Sequence, residues 1–448
     1  MKTHHKLNKA KASGILRLLF FLLLIIGWQK VYPQDSTYQK IMRMIDSVST
    51  DSLVKHIKVL ENAGGHTSRV NFTPGNDSAA NYILKTFQEM PHLSSVTTDT
   101  FFITSAVAPY NTKPMFNFEA TIQGKYNPDK IFIIGAHYDC SGSRMGSQVW
   151  QSQWNTMKVP GADDNATGVA ALFEIARILS DPANGFNNAY TVKFVAFGAE
   201  ESGPAYSGAH HGSISYAKKC KLNNQQIQGM VSVDMIGFNE NHDYQAIVSN
   251  TTSQYFAQKF YEANTLFNTG LILNSPPFVN ATYSDHASFW DEGYKAILLI
   301  ENAPPWNSNN YYIANPFYHT TSDSFHTLNM PLVTKVTKWV LGTMAAFSSP
   351  LTNTDDVTPA PSECVLYQNY PNPFNSSTIV GYQIPGKAVI SLKVYDILGK
   401  EVAVLFEGEQ EDGRHELLFD ASGLATGIYY LKLTADSFTS VKKMIFLK

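Results

Sequence analysis

The chain is poor in charge. Only 16% of its 448 residues are Asp, Glu, Lys or Arg, and the formal net charge is −3. No long block of one sign occurs, so nucleic acid is not an expected partner. Cysteine is scarce as well. Cys140, Cys220 and Cys364 allow at most one intramolecular disulfide, which excludes a disulfide framework. No internal repeat of useful length occurs. What remains is a 44% apolar chain, long enough for two or more domains and able to bury a large core.

The N-terminus reads differently from the rest. Lys2, Lys6, Lys9 and Lys11 precede a nearly continuous apolar run, residues 15–26, broken only by Arg17. The run is short of the roughly 20 residues that a spanning helix needs. This is the layout of a secretory signal peptide over residues 1–34, cut near Gln34, although no A-x-A pattern marks the site. No stable membrane span is expected after cleavage.

Residues 131–140, IFIIGAHYDC, read as a strand buried on both faces, of the kind parallel sheets contain. It ends in His137 and Asp139. Other apolar runs end the same way. Glu200 and Glu201 follow the run 191–197, Asp234 follows 230–233, and Glu301 follows 296–300. Asp163 and Asp164 stand before a helical pattern carried by Val169, Leu172, Phe173, Ala176 and Leu179. His319 lies in FYHTTSD. In open α/β sheets ligands bind at the carboxyl ends of strands. Histidines and carboxylates gathered there suit a hard or borderline cation. The adjacent pair Glu200–Glu201 permits a division of labour, one carboxylate on metal and its neighbour moving a proton.

Helices are expected over 51–62, 78–90 and 332–347, and strands over 94–102 and 116–123. The alternation predicts one α/β domain over 35–348, with a mixed, mainly parallel sheet flanked by helices. Residues 349–362 are polar and proline-containing and read as a linker. Beyond them, alternating strands at 389–398, 415–419, 427–434 and 441–447 predict a small all-β sandwich over 363–448.

The ordered motifs HYD, GADDNATG, AEESG, VDM, SDHASF and YHTTSD closely resemble the family 28 metallopeptidases, the co-catalytic di-zinc aminopeptidases. The resemblance covers about 300 residues. It implies a zinc-dependent exopeptidase fold and two zinc ions per chain. His137 and Asp234 would bind one ion, Glu201 and His319 the other, and Asp164 would bridge them. Glu200 would act as general base, and Asp139 would orient His137. Asp163 takes a lesser role, and the Asp164–Asn165 peptide is expected to be cis. Asp285 and His286 are expected to shape the site wall, and Asp285 is, with Tyr318, a candidate substrate or transition-state contact. Tyr318 either contacts the reacting group or packs. His210 and His211 read as surface or rim residues, and Cys140 as a small buried residue. Trp150, Trp154, Phe238, Tyr283, Trp306, Tyr311 and Tyr312 form either an apolar side-chain pocket or ordinary core.

The expected substrates are peptides cleaved at the N-terminus. A glutaminyl cyclase or carboxypeptidase of the same fold is the alternative, as is an inactive surface-binding protein. QNYPNPFNSSTIVGYQIP, VYDILGKEVAVL, LATGIYYLKL and KKMIFLK are very similar to the sorting domain of type IX secretion. That resemblance implies the secretion machinery as partner and a secreted or cell-surface location reached through the periplasm. Deleting residues 363–448 should therefore retain the protein in the periplasm, read by fractionation; normal export of the truncated chain would refute the assignment.

Overall fold

The computed structural model describes residues 37–239, 241–274, 277–279, 281–302, 308–349, 364–369, 372–410, 413–436 and 438–447. The expected signal peptide, nearly all of the expected linker and Trp306 lie outside them. Among the described residues no helix is long and apolar enough to cross a membrane.

Three helices come first: α1 (Thr37–Asp46), α2 (Thr50–Glu61) and α3 (Pro74–Gln88). The sheet strands are β1 (Ser95–Phe101), β2 (Met115–Ile122), β3 (Asn127–His137), β4 (Tyr190–Phe197), β5 (Gln226–Val233), β6 (Tyr244–Ser249), β7 (Ile272–Leu273), β8 (Phe278–Val279) and β9 (Ala296–Ile300). They run in the order β1-β2-β4-β3-β5-β9-β6-β7, with β8 also paired to β6. Strands β4, β3, β5 and β9 are mutually parallel, and β2 and β6 flank them antiparallel. The carboxyl ends of the four parallel strands therefore face one way, and this gathers His137, Glu200, Asp234 and Glu301 on one edge.

The helices between strands are α4 (Ser147–Gln153), α5 (Gly168–Ser180), α6 (His211–Leu222), α7 (Gln254–Leu266), α8 (His286–Asp291) and α9 (Met330–Ser348). Alternation along β3 serves both faces. Phe132, Ile134 and Ala136 join the large core with α2, α3, α5 and α9. Ile131 and Ile133 pack with Tyr216, Met230 and Phe289 on the other side. The helical stripe expected over 168–179 is in fact buried nearly all round, including Ala170, Ala171, Ile175 and Ile178. The reason is position: α5 lies between the sheet and helices α2 and α9, and a helix apolar on every side belongs in a core. Its buried Glu174 is answered by Ser49 N at 2.7 Å and by Arg177.

Helix α3 starts four residues before the sequence pattern suggests. Thr73 Oγ1 accepts from Asn76 N, and Pro74 occupies the first turn. A capping hydroxyl plus a proline with fixed φ starts a helix before its apolar stripe begins.

The C-terminal strands form two antiparallel sheets. One holds β10 (Val365–Leu366), β11 (Ser377–Ile384) and β14 (Gly413–Asp420). The other holds β12 (Ala388–Asp396), β13 (Glu401–Gln410), β15 (Gly427–Ala435) and β16 (Phe438–Phe446). Both sheets contribute to one core of Val380, Tyr382, Leu392, Val394, Leu431, Leu433 and Phe446. Strands β10, β11 and β13 were not expected as strands. β13 is an edge strand with two register shifts against β12 and no fully buried residue, so its one-face alternation is broken.

Gly168, at the start of α5, fixes the approach of that helix to β5. A Cβ there would lie 2.2 Å from Val233 O and 2.4 Å from Asn165 Oδ1. Gly168→Ala should therefore cost on the order of 1–3 kcal/mol through overpacking. Thermal unfolding should report a fall in Tm of about 2–4 °C per kcal/mol; an unchanged Tm would contradict this packing.

Candidate metal centre

Five of the residues singled out by sequence meet in two overlapping groups, His137–Asp164–Asp234 and Asp164–Glu201–His319, whose donor atoms lie within 4.8 Å of one another. His137 ends β3 and Asp234 follows β5. His137 Nε2 is 3.2 Å from Asp164 Oδ1 and 3.3 Å from Asp234 Oδ1. His319 Nε2 is 2.9 Å from Asp164 Oδ2 and 2.7 Å from Glu201 Oε1. Asp164 thus presents one oxygen to each imidazole. All five are buried or nearly so.

The electrostatics follow from burial and crowding. Burial alone would depress the His137 imidazole, but the charges of Asp234 and Glu200 hold it well above the usual histidine range. Burial opposes protonation of His319 too, and Glu201 and Asp164 overcome it, raising it to about 10. Burial pushes Asp234 and Glu201 up, although His137 and His319 respectively oppose this. Asp164 is held below the carboxylate range because hydrogen bonds from both histidines outweigh its burial.

The donor chemistry fits metal. An imidazole Nε2 carries at most one proton, yet each faces two carboxylate oxygens. Three buried carboxylates against two titratable rings leave negative charge that needs a cation. Ligand atoms about 2.0–2.2 Å from a tetrahedral zinc lie roughly 3.3–3.5 Å apart, close to the 3.2 and 3.3 Å of the His137 group, while the His319 group is tighter at 2.7 and 2.9 Å. The oxygen and imidazole donor set suits zinc.

The backbone around the ligands is tied down by Asp163 and the expected cis peptide, and by Asp323, Ser143 and Arg69, to which sequence reasoning gave no role. Asp323, the last residue of YHTTSD, accepts from Asp163 N at 2.9 Å and Asp164 N at 3.1 Å. Asp163 Oδ1 accepts from Gly237 N at 2.7 Å and so anchors the segment after Asp234. The Asp164–Asn165 peptide is cis. Asn165 Nδ2 donates to Val233 O at 2.9 Å. Ser143 Oγ lies 2.8 Å from His319 Nδ1 and holds the ring nitrogen that faces away from the cluster. Arg69 is fully buried and donates to the carbonyls of Leu60, Tyr138, Pro160 and Gly161, clamping the chain that leads into the aspartate pair. Asp163, Asn165 and Asp323 stood within recognised motifs, whereas Ser143 and Arg69 did not.

Asp139 faces His137, with Oδ1 3.6 Å from Nδ1 and a contact that helps raise the imidazole, although the distance exceeds that of a full hydrogen bond. Its two oxygens also accept from Glu200 N and Glu201 N, each at 3.0 Å, and Oδ2 from Asn71 Nδ2 at 2.7 Å. The β4 loop crosses over the end of β3, and its two amides take the carboxylate. Glu200 is buried and stands apart from both donor groups. Its Oε1 is 3.1 Å from His210 Nε2, a contact absent from the sequence reading, which placed His210 at the rim.

Asp285 is fully buried, and neither carboxylate oxygen meets a donor in hydrogen-bonding geometry; burial, with the charge of Glu200, raises it to about 7. His286 is held neutral, pushed down to about 3 by burial, with Nε2 facing Ala281 O at 2.8 Å. Tyr318 stacks on His319 with ring centres 3.8 Å apart. Glu301 lies with Asp163 rather than with the ligands, and burial and Asp163 push it well up. Cys140 is free and buried, bonded to Arg69 N and Val159 O, and burial drives its thiol to about 12. Trp150 packs with Cys140, Met157 and Val159, with Trp154 against them; Phe238 and Tyr312 are buried. These four read as core, whereas Tyr283 and Tyr311 are exposed.

Peptidase family M28 matches residues 117–344, just over half of the chain. The chain belongs to peptidase family M28. Secretion system C-terminal sorting domain matches residues 368–447. The M28 protein is 26% identical over 326 residues to a "Probable leucine aminopeptidase" of Arthroderma otae, covering 70% of this chain and 77% of that one. Its fold is shared with BSAP, a zinc aminopeptidase from Bacillus subtilis, at TM-score 0.52 and 15% identity over 67% of this chain and 95% of that one. It is equally shared with Porphyromonas gingivalis glutaminyl cyclase, at TM-score 0.53 and 18% identity over 67% and 99%. The M28 protein is thus a peptidase of the hydrolase class with a sorting domain at its C-terminal end.

Replacing Asp139 with Asn should remove the charge that holds the Glu200 and Glu201 amides. Activity should fall about 10–100-fold, the usual effect of losing an outer-shell partner. Steady-state kinetics on a peptide substrate would check this, and unchanged kcat would refute the role.

Proposed function

We propose that the M28 protein is a secreted, zinc-dependent aminopeptidase that hydrolyses the N-terminal peptide bond of its substrates. The observation that carries the reading is the pair of donor groups sharing Asp164, with a buried carboxylate, Glu200, beside them and outside both. His137 and Asp234 would hold one zinc, Glu201 and His319 the second, and Asp164 both. When bound, the pair of ions would polarise the scissile carbonyl and lower the pKa of water to about 7. Glu200 takes the proton from the attacking water and delivers it to the leaving amine. Asp139 keeps Glu200 and Glu201 in register by holding both backbone amides. Tyr318 backs His319. The Arthroderma relative, named a leucine aminopeptidase, supports cleavage from the N-terminus, and the zinc named for the Bacillus subtilis structure supports the metal. The sorting domain supports export to the medium or the cell surface.

The Porphyromonas fold match keeps glutaminyl cyclisation as a second reading. A panel of peptides with free, acetylated and glutaminyl N-termini separates the two. The aminopeptidase reading expects cleavage of free N-termini only. Formation of pyroglutamyl peptide without cleavage would overturn it. Glu200→Gln should keep its zinc and lose at least about 10²–10⁴-fold in kcat, the usual contribution of a general base; near-normal turnover would remove Glu200 from that role.

A further inference from the structure

From the geometry around Glu200 we infer that His210 is a positioning residue, which holds the Glu200 carboxylate through its imidazole Nε2. The inference rests on the reading of Glu200 as the base. The two side chains meet at 3.1 Å. Both are largely buried, with side-chain exposure of 19% and 8%, so solvent screens the contact little. Asp285 is a second carboxylate acting on the same imidazole.

The backbone delivers this ring deliberately. His210 sits at φ +59°, in the left-handed region that favours glycine. Its amide donates to Glu200 O at 2.7 Å, and the next amide, of His211, donates to Ala199 O at 2.8 Å. The loop after β4 therefore closes on itself, and His210 returns to the residue whose carboxylate it meets. Gly212 brings the start of α6 hard against the end of β4: a Cβ there would lie 2.1 Å from Gly198 O. A side chain kept where glycine is easier, at the closure of a loop and aimed at a functional carboxylate, points from strain to function. The ring has one consequence for chemistry. A glutamate side chain has three rotatable bonds, and fixing one oxygen leaves the other to face the reacting water. His210 thus restricts Glu200 as Asp139 restricts its backbone.

Three variants of the full-length zinc-loaded enzyme test this. His210→Gly relieves the backbone and should leave Tm unchanged or higher, while kcat falls about 10–100-fold with KM within about twofold and zinc content unchanged. His210→Gln keeps a donor at similar reach and should recover kcat at least threefold over the glycine variant. Glu200→Gln, run in parallel, should be inactive. Unchanged kcat in His210→Gly alongside inactive Glu200→Gln would overturn the role of His210 alone. A fall in kcat accompanied by loss of zinc or of thermal stability would also overturn it, since the effect would then be structural. An active Glu200→Gln would overturn the base assignment and with it this inference.

Discussion

The site depends on one carboxylate shared by two imidazoles. Asp164 turns Oδ1 toward His137 and Oδ2 toward His319, at 3.2 and 2.9 Å. Asp234 and Glu201 bring further buried carboxylates to the same few ångströms, with buried Glu200 outside both groups. Buried charge is costly unless paired, so the cluster holds together only with cations or protons between its members. That constraint explains the rest of the architecture. The supporting residues hold the backbone on either side of the ligands: Asp139, Asp163 and Asp323 accept amides, and Asn165 and Arg69 donate to carbonyls.

The scaffold supplies this rigidity at two levels. Four parallel strands end on one edge and set the positions of His137, Asp234 and the β4 loop. Carboxylates outside the two donor groups then act as backbone clamps. Asp139 holds Glu200 and Glu201, Asp323 holds Asp163 and Asp164, and Asp163 holds Gly237. Arg69 performs the same task from the opposite polarity, donating to four carbonyls without a carboxylate partner in its hydrogen bonds. An M28 peptidase core is thus a charged device built into an apolar sheet, with helix α5 buried on nearly all sides behind it.

Much of this was legible in the sequence because the informative residues sit where local patterns break. The run 131–136 announces a strand buried on both faces, and His137 and Asp139 mark its end. The five residues gathered in the two donor groups lie in separate motifs, each attached to a readable element. What sequence hid depends on long-range closure. His210 stands ten residues after Glu200, and nothing local says that the loop returns. Arg69 lies 71 residues before Cys140, whose thiol meets its backbone amide. Asp139 keeps its place beside His137 at 3.6 Å, but its hold on the Glu200 and Glu201 amides depends on the return of the loop after β4. Edge strand β13 was missed because two register shifts erase its alternation. The sorting domain was legible through its motifs rather than through its hydrophobic period.

The proposed role of Asp164 is to serve two ions at once. Zinc per chain, counted by native mass spectrometry of the secreted, purified protein, addresses this most directly. Two zinc ions per chain is the predicted result, and a saturated stoichiometry of one or none would contradict it.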